Sequence, residues 1–288
     1  MIITPPWEET VLRLLRIAQT RLPPDIGWAL ESAAAWERND IARVQLGAIL
    51  DNVSKAEFLE RPICQDTGLP IFFVKGKIPD NIEEAIAAGV RRATEEIPLR
   101  PNAVDPLSRE NSGDNVGSGP LVHYHPADTD YTEISVLPKG AGAENMSKLA
   151  MLLPSDGEKA IKEFVIRTVL RSGGRPCPPT VVGVGIGGSA DKCLLMAKEA
   201  LLTPLDRENP DPRLRAMEED LFTTLNSSGL GPMGLGGDST VLGVRIMAAS
   251  CHTASLPVAV SLNCWAARRA SVRVYEDGRT VYSQGVLE

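Results

Sequence analysis

The sequence predicts a mixed α/β protein in which a helical N-terminal cap packs on a mixed-sheet α/β core. Aromatic residues make up only 5% of the 288 residues, while 25 glycines and 22 prolines supply many tight turns. This composition favours an α/β chain over an all-β sandwich. Because no repeat, low-complexity tract or clear linker divides the chain, we expect a single domain over residues 1–288, with the cap at 1–58.

The cap is expected to consist of helices. An amphipathic segment begins near Leu12, where apolar residues recur at helical spacing, and Pro23 breaks it. A second helical segment runs from 28 to 36, and a third follows Asp40. The first 58 residues therefore predict three helices in succession.

The remainder of the chain mixes strands and helices, which predicts the core. The expected strands lie at 71–74, 120–125, 131–137, 180–188, 239–248 and 256–262, with a hairpin near Asp277-Gly278. The expected helices lie at 81–96, 156–172, 189–202 and 211–228. The loop at 97–119 is long for a connection without secondary structure, and such loops inside compact domains are often functional.

Charge and composition argue against several functional classes. The net charge is −7 and no run of lysine or arginine is present, whereas nucleic-acid binding needs a basic face. No stretch of 18 apolar residues predicts a membrane span. The N-terminus carries acids where a signal peptide carries bases, so we expect a cytoplasmic protein. The five cysteines are expected to be reduced thiols, because their number is odd and small.

Three of the five cysteines differ in context from the other two. Cys193 lies within an expected helix and Cys251 at a strand end, and both are expected to fill core space. Cys64, Cys177 and Cys264 lie at turns where an expected strand begins or ends. Their wide spacing favours packing over structural zinc, which uses short local pairs. Three remote thiolates can also hold three corners of an iron–sulfur cube, leaving one iron open as a Lewis acid.

Other motifs allow a structural and a functional interpretation. The segment KGAGAENMSK at 139–148 predicts either an anion-binding turn or a solvated turn. GVGIGGSAD has the letters of the dinucleotide fingerprint, but no acid ends a second strand about 20 residues on, so we interpret it as strand–turn–helix packing. His123 and His125 share one side of a strand and are expected to be surface or core residues. His252 is open between core and site.

Taken together, these motifs resemble the class I (iron–sulfur) fumarase and L(+)-tartrate dehydratase family. They follow the family's order from about residue 30 to 275 and match its alpha subunit or N-terminal half. The motifs are CQDTGLP, PLRPNAV, NSGDN, LPKGAGAENMS, CPP followed by VGVGIGG, GLGGDSTVLGVRI and HTASLPVAVSLNCWAARR. The resemblance implies the mixed α/β fold of the class I fumarase N-terminal domain.

The resemblance also implies a cofactor and a set of site residues. It implies a [4Fe–4S] cluster whose three cysteine ligands map to Cys64, Cys177 and Cys264, while Cys251 falls outside the ligand motif. The positions that match substrate contacts or active-site residues are Gln65, Asp66, Arg100, Gly140, Gly142 and His252. His123 and His125 match no such position.

The chemistry implied by the resemblance is reversible trans elimination of water from a 2-hydroxy dicarboxylate. The open iron would bind the substrate hydroxyl and one carboxylate and weaken the C–O bond. Arg100 would hold a carboxylate through a two-point fork. Asp66 and His252 are expected to help move the proton of the leaving water.

The resemblance further implies a partner chain. Single-chain family members carry a second half with further substrate residues and the presumed base, and this sequence ends at Glu288 without it. We therefore expect the alpha subunit of a hetero-oligomer, with a beta subunit as partner and little activity alone. The wording LPKGAGAENMS favours fumarate and malate as substrates, and CWAARR leaves L(+)-tartrate as the alternative.

Two other classes remain as rivals at this point. A non-catalytic redox or iron sensor would use the cluster as a signal, although a sensor needs no substrate arginine such as Arg100. A zinc protein would use the same three thiolates. Iron content and the effect of removing Arg100 separate these alternatives from the hydro-lyase.

Overall fold

The structure, a computed structural model, describes residues 7–285. This part of the chain forms eight α-helices and nine β-strands in two mixed sheets, which confirms the predicted mixed α/β class. The helices are α1 (Trp7–Thr20), α2 (Pro24–Trp36), α3 (Asp40–Phe58), α4 (Ile82–Glu96), α5 (Ala141–Glu144), α6 (Gly157–Ser172), α7 (Ala190–Ala200) and α8 (Pro212–Asn226). The strands are β1 (Leu69–Gly76), β2 (Leu121–Pro126), β3 (Tyr131–Lys139), β4 (Lys148–Leu152), β5 (Thr180–Gly187), β6 (Val241–Ala249), β7 (Leu256–Asn263), β8 (Ala270–Tyr275) and β9 (Thr280–Ser283).

The chain divides into two compact units that are not continuous in sequence. Among the described residues, the first unit comprises 7–24, 52–140 and 268–285, and the second comprises Asp25–Asp51 and Ala141–Ala267. The three predicted N-terminal helices are present, and residues 1–6 of the predicted cap lie outside the described residues. That residues 1–288 act as one catalytic domain stays a prediction.

The first unit is built on a five-stranded sheet in the order β2-β1-β3-β8-β9. β1 runs parallel to β2, and the other neighbours are antiparallel. α1 buries Val11, Leu14, Leu15 and Ala18, which recur at the spacing of one helical face. α4 packs closely on α1 because Gly89 has no side chain: a Cβ there would lie 2.7 Å from Val11. The two helices and the sheet enclose one apolar core.

The second unit is built on a four-stranded sheet in the order β4-β7-β5-β6. β5 is parallel to β6 and antiparallel to β7, and β4 is antiparallel to β7. Val258, Val260 and Leu262 of β7 belong to the core formed with α6 and α8, whereas Ala259 packs with α7. Alternate residues of a strand point to opposite faces, so α6 and α8 cover one face of this sheet and α7 covers the other.

The glycine-rich strand β5 serves helix packing, as the sequence predicted. A Cβ on Gly183 would overlap the carbonyl oxygen of Ala197, and one on Gly185 would overlap that of Cys193. The missing side chains therefore let α7 lie directly against the backbone of β5. Cys193 confirms its predicted core position, since it is fully buried and its thiol donates to the Gly185 carbonyl at 3.2 Å.

The sequence missed two short elements, α5 and β4. α5 lies within the segment KGAGAENMSK, β4 begins at the last residue of that segment, and each element has five residues or fewer. Elements this short contain too few residues to show a helical or strand period. No helix within 7–285 has the length and apolar character needed to cross a membrane.

Candidate active site

The segment CQDTG at 64–68 links α3 to β1 in the first unit, and its start is fixed by backbone hydrogen bonds. The N–H of Ile63 donates to the Gln19 carbonyl at 2.9 Å, and the Ile63 carbonyl accepts from Asn52 Nδ2 at 2.7 Å. Both polar backbone groups beside Cys64 are therefore anchored. Cys64 itself is half-buried.

Arg268, which lies just before β8, binds the same segment. Its side chain is 1% exposed, and Nη2 donates to the Asp66 carbonyl at 2.7 Å while Nη1 donates to Gln19 Oε1 at 2.8 Å. Gln19 Nε2 in turn donates to the Thr67 carbonyl at 2.8 Å. Sequence reasoning missed Gln19 and Arg268 as supports of the site. Arg268 is part of the motif ending CWAARR, which was the one available signal for it. Nothing in that motif indicates that Arg268 binds the segment of Asp66.

The carboxylate of Asp66 is oriented by its own loop and adjoins a glycine. Oδ1 accepts from the Gly68 N–H at 3.0 Å, an Asx turn. A Cβ on Gly140 would lie 3.0 Å from Asp66 Oδ2, so a larger residue at 140 would crowd the carboxylate. Gln65 is exposed beside it. The structure thus brings together Gln65, Asp66 and Gly140.

The loop that carries Arg100 is bound to the same segment. Its carbonyl accepts from Thr67 Oγ1 at 3.3 Å and from Asn115 Nδ2 at 3.1 Å. Asn102 Nδ2 donates to the Gly68 carbonyl at 3.2 Å. The Arg100 side chain is exposed, with its backbone held next to the CQDTG segment. The long loop predicted to be functional is therefore packed against the predicted site by side-chain amides.

In the second unit, two predicted ligand cysteines meet at one end of the sheet. Cys177 lies just before β5 and Cys264 just after β7, and because these strands are antiparallel those ends adjoin. The Trp265 N–H donates to the Cys177 carbonyl at 3.1 Å, which joins the two cysteine loops. The Met233 N–H donates to the Pro178 carbonyl at 2.8 Å and holds the first loop from its other side.

Gly142, in the single-turn helix α5, contacts the loop of Cys177. A Cβ on Gly142 would lie 2.8 Å from the carbonyl oxygen of Arg175. Only glycine lets α5 approach this loop so closely. The two glycines of the predicted turn therefore contact different segments. Gly140 adjoins Asp66 in the first unit, and Gly142 adjoins the Cys177 loop in the second.

His252 lies at the other end of β7 from Cys264. Its Nδ1 accepts from the Ala254 N–H at 3.1 Å, and the side chain is exposed. The eight residues of β7 separate the two, which corresponds to about 25 Å at about 3.3 Å per residue. The structure does not bring His252 and Cys264 together within this unit. Cys251 is exposed beside His252, so the prediction that it fills core space is wrong.

His252 and Cys251 border a cavity of about 470 Å³ at this end of the sheet. His123 and His125 lie in β2 of the first unit and are half-buried. The His123 ring lies 5.2 Å from that of Phe73, measured between ring centroids, which fits the structural interpretation of this pair.

The thiols differ in their suitability as metal ligands. Burial raises the pKa of Cys193 to about 11, so this thiol stays protonated near neutral pH. Cys177 is exposed and Cys264 half-buried, so both are more accessible than Cys193. Among residues 7–285, no three His, Cys, Asp or Glu side chains converge on a single metal-ion position. Ligands of an iron–sulfur cube bind separate irons and need not converge in that way.

Comparisons with known proteins give a consistent picture. Residues 8–273 match the family model of fumarate hydratase (Fumerase). A protein of Methanocaldococcus jannaschii named "Putative L(+)-tartrate dehydratase subunit alpha" is 48% identical over 280 residues, covering 94% of this chain and 98% of that protein. L(+)-tartrate dehydratase subunit alpha of Escherichia coli K12 is 35% identical over 275 residues, covering 93% and 91%. A "Putative fumarate hydratase class I" of Geobacillus stearothermophilus is 35% identical over 298 residues, covering 95% of this chain and 58% of that protein.

Proposed function

Because this chain belongs to the fumarate hydratase (Fumerase) family and is a hydro-lyase, we propose that it is the alpha subunit of an iron–sulfur fumarate hydratase. The reaction is the reversible hydration of fumarate to malate. The observation that most supports the iron–sulfur part of this proposal is the hydrogen bond from the Trp265 N–H to the Cys177 carbonyl, which joins the loops of two predicted cluster ligands.

The chemistry of the residues present suits a [4Fe–4S] cluster, which in this proposal Cys64, Cys177 and Cys264 would hold. Each of these thiols is at least partly accessible, and each lies on a loop whose neighbouring backbone is anchored by hydrogen bonds. Cys193 is unsuitable because burial keeps it protonated. When bound by three thiolates, such a cluster would supply an open iron as a Lewis acid for the substrate hydroxyl.

The remaining chemistry follows from side chains of the first unit. Arg100, with an exposed guanidinium on an anchored backbone, would bind one substrate carboxylate as a fork. Asp66, whose Oδ1 accepts from the Gly68 N–H, would accept or return the proton of the departing water. Gly140 avoids crowding this carboxylate, because a Cβ there would lie 3.0 Å from Oδ2, and Gln65 would donate to the substrate from the same loop. From the second unit, Gly142 would contribute backbone to substrate binding in this proposal.

The predicted role of His252 as an active-site group stays a prediction. Its position at the far end of β7 argues against contact with a group bound by Cys264 of the same chain. Asp66 is therefore the residue of this chain that we assign to proton transfer.

A beta subunit would complete the enzyme. Two of the relatives are named as alpha subunits and match this chain over 98% and 91% of their length, whereas the fumarate hydratase class I relative is longer and matched over 58%. We expect the residues that complete the dicarboxylate site, among them the base for carbon, to lie on that partner. The assembly is a hetero-oligomer in this proposal.

A second candidate is the dehydration of L(+)-tartrate to oxaloacetate. The names of the two alpha-subunit relatives favour it. Tartrate carries one hydroxyl more than malate. A site that pairs this hydroxyl with a buried polar group discriminates strongly between the two substrates, so relative kcat/KM values decide the assignment.

The test is anaerobic co-expression with the family's beta chain, followed by assays on malate, fumarate and both tartrates. We expect turnover of malate and fumarate, and at least tenfold lower kcat/KM for the tartrates. Cys64→Ser, Cys177→Ser and Cys264→Ser should each lose iron, sulfide and visible absorption, while Cys251→Ser, an exposed thiol outside the ligand set, keeps them. Full retention of the cluster in any of the three variants would contradict the ligand assignment.

Arg100→Ala distinguishes a hydro-lyase from a sensor or a zinc protein. We expect the iron content to stay at the wild-type level and kcat/KM to fall at least a hundredfold, because the carboxylate loses its fork. Zinc in place of iron in the anaerobic protein, or undiminished turnover in Arg100→Ala, would refute the proposed chemistry.

A further inference from the structure

Strand β4 forms one edge of the sheet in the second unit. It pairs with β7 from Lys148 to Leu152, and within residues 7–285 no strand pairs with its other side. An unpaired edge presents backbone N–H and C=O groups to which another chain can add. Proteins usually protect such an edge with charges or proline along it.

The outward face of β4 is apolar instead. Leu149, Met151 and Leu153, which follows the strand directly, are 37%, 57% and 65% exposed. They occupy alternate positions, so they lie along one face of the strand. A stripe of large apolar side chains on an unpaired edge is typical of a surface that another polypeptide covers.

The opposite face of β4 borders a groove against α6, here called the β4–α6 groove. Its volume is about 410 Å³. Ala150, Leu152 and Phe164 contribute apolar walls, and Lys148, Arg167 and Arg171 contribute cations. The strand residues alternate and the helix residues are three or four positions apart, so each element presents one continuous face to the groove.

The groove has positive charge without a matching acid. No Asp or Glu lines it, and among the described residues Lys148, Arg167 and Arg171 form no ion pair. Arg175 also lines it, and its guanidinium donates to carbonyls in the last turn of α6, those of Arg171 and Ser172. Acids outnumber bases in the whole chain, 37 to 30, so this local excess of cations requires a specific reason.

The charges of the β4–α6 groove indicate what kind of chain binds there. A second copy of this chain, paired edge to edge through β4, would bring Lys148, Arg167 and Arg171 of both copies together, and like charges opposed across paired strands are unfavourable. An extended segment with carboxylates at alternate positions would pair with the cations, and its apolar residues would cover Met151 and its neighbours.

We propose that β4 and the β4–α6 groove bind an acidic, extended segment of the beta subunit, which adds to this sheet as a fifth strand. The identity of the partner rests on the proposed function, whereas the acidic and extended character of the segment rests on the groove. In this arrangement the added strand directs every second side chain toward α6.

The test measures the affinity of the alpha chain for the beta chain by calorimetry at low and high salt. In the double variant Arg167→Glu/Arg171→Glu, we expect at least hundredfold weaker binding and loss of the salt dependence seen for wild type. Met151→Asp, on the other face, should weaken binding at least tenfold. Lys159→Glu is the matched control, because Lys159 lies on the same helix, its side chain is 88% exposed and it does not line the groove. It should bind as wild type does.

The outcomes are distinguishable. If wild type binds the beta chain and the double variant binds equally well, this surface is wrong and the proposed function stands. If wild type forms no complex, the two-subunit function and this surface are both wrong. If the alpha chain alone forms a dimer in sedimentation that Met151→Asp dissociates, a second copy covers β4 and the assigned partner is wrong. Circular dichroism melting of each variant verifies that the fold is intact.

Discussion

Replacing Arg268 with methionine tests how the candidate site is held. Arg268 is 1% exposed and donates two hydrogen bonds, to the Asp66 carbonyl at 2.7 Å and to Gln19 Oε1 at 2.8 Å. Methionine has a similar length and fills the same space without a donor. The buried Gln19 Oε1 and the half-buried Asp66 carbonyl would then both lose the Arg268 donor.

The magnitude follows from these two bonds. Leaving a buried acceptor unsatisfied costs about 1–3 kcal/mol, so Arg268→Met is expected to lower the free energy of unfolding by about 2–6 kcal/mol. The burial of a guanidinium is itself unfavourable, and its removal offsets part of this loss, which gives about 2–4 kcal/mol. That is a large fraction of a typical total of about 5–15 kcal/mol.

Urea denaturation followed by circular dichroism measures the change. Arg92→Met is the matched control in the same unit, because Arg92 binds Glu8 and Glu96 at the surface, where ion pairs contribute little to stability. Arg268→Lys should recover part of the loss, since an ammonium can still donate. A stability for Arg268→Met within about 0.5 kcal/mol of wild type would refute the reasoning that these two bonds hold the CQDTG segment.

Three further predictions concern single groups. Although partial burial opposes it, hydrogen bonds from Ser112 and the N–H groups of Gly117 and Val116 hold the pKa of Asp114 well below its usual range. Its contribution to stability is therefore present above about pH 4 and lost as pH falls further, and Asp114→Asn should flatten acid unfolding curves over that range. Iodoacetamide at pH 8 should label the exposed Cys251 in the metal-free folded chain. It should leave Cys193, with its pKa of about 11, unlabelled until the chain unfolds. Labelling of Cys193 in the folded chain would contradict its burial. Gly185→Ala should lower the free energy of unfolding in urea by about 3 kcal/mol, because the added Cβ would overlap the Cys193 carbonyl. Gly47→Ala is the control: Gly47 has open space around it in α3, so alanine there should raise the free energy of unfolding by up to about 1 kcal/mol. Equal effects of the two substitutions would be inconsistent with the packing of α7 on β5.

The order and type of most elements could be predicted because their signals are local. α1 shows the helical period in its own residues, and β5 is a continuous buried run ending in glycines. β4 and α5 were missed because five and four residues carry no period. The assignment of Cys251 to the core was wrong because the segment after β6 continues into solvent, which its apolar neighbours do not reveal.

The candidate site shows the same division at the level of side chains. Asp66, Arg100 and Gly140 were predicted from motifs, and the structure brings their segments together in the first unit. Gln19 and Arg268, which hold that site, were not found. Their bonds join residues separated by 249 and 202 positions, and no local pattern encodes such a pair.

By itself, the sequence determined the α/β class, the succession of helices and strands, the reduced state expected of the thiols and the family to which the motifs point. The tertiary structure alone decided the division into two discontinuous units, the strand orders of the two sheets, the approach of the Cys177 and Cys264 loops, and the separation of His252 from Cys264 along β7. The physical reason is range: periodicity and turn chemistry act over a few neighbouring residues, whereas strand pairing and buried hydrogen bonds join residues that only folding brings into contact.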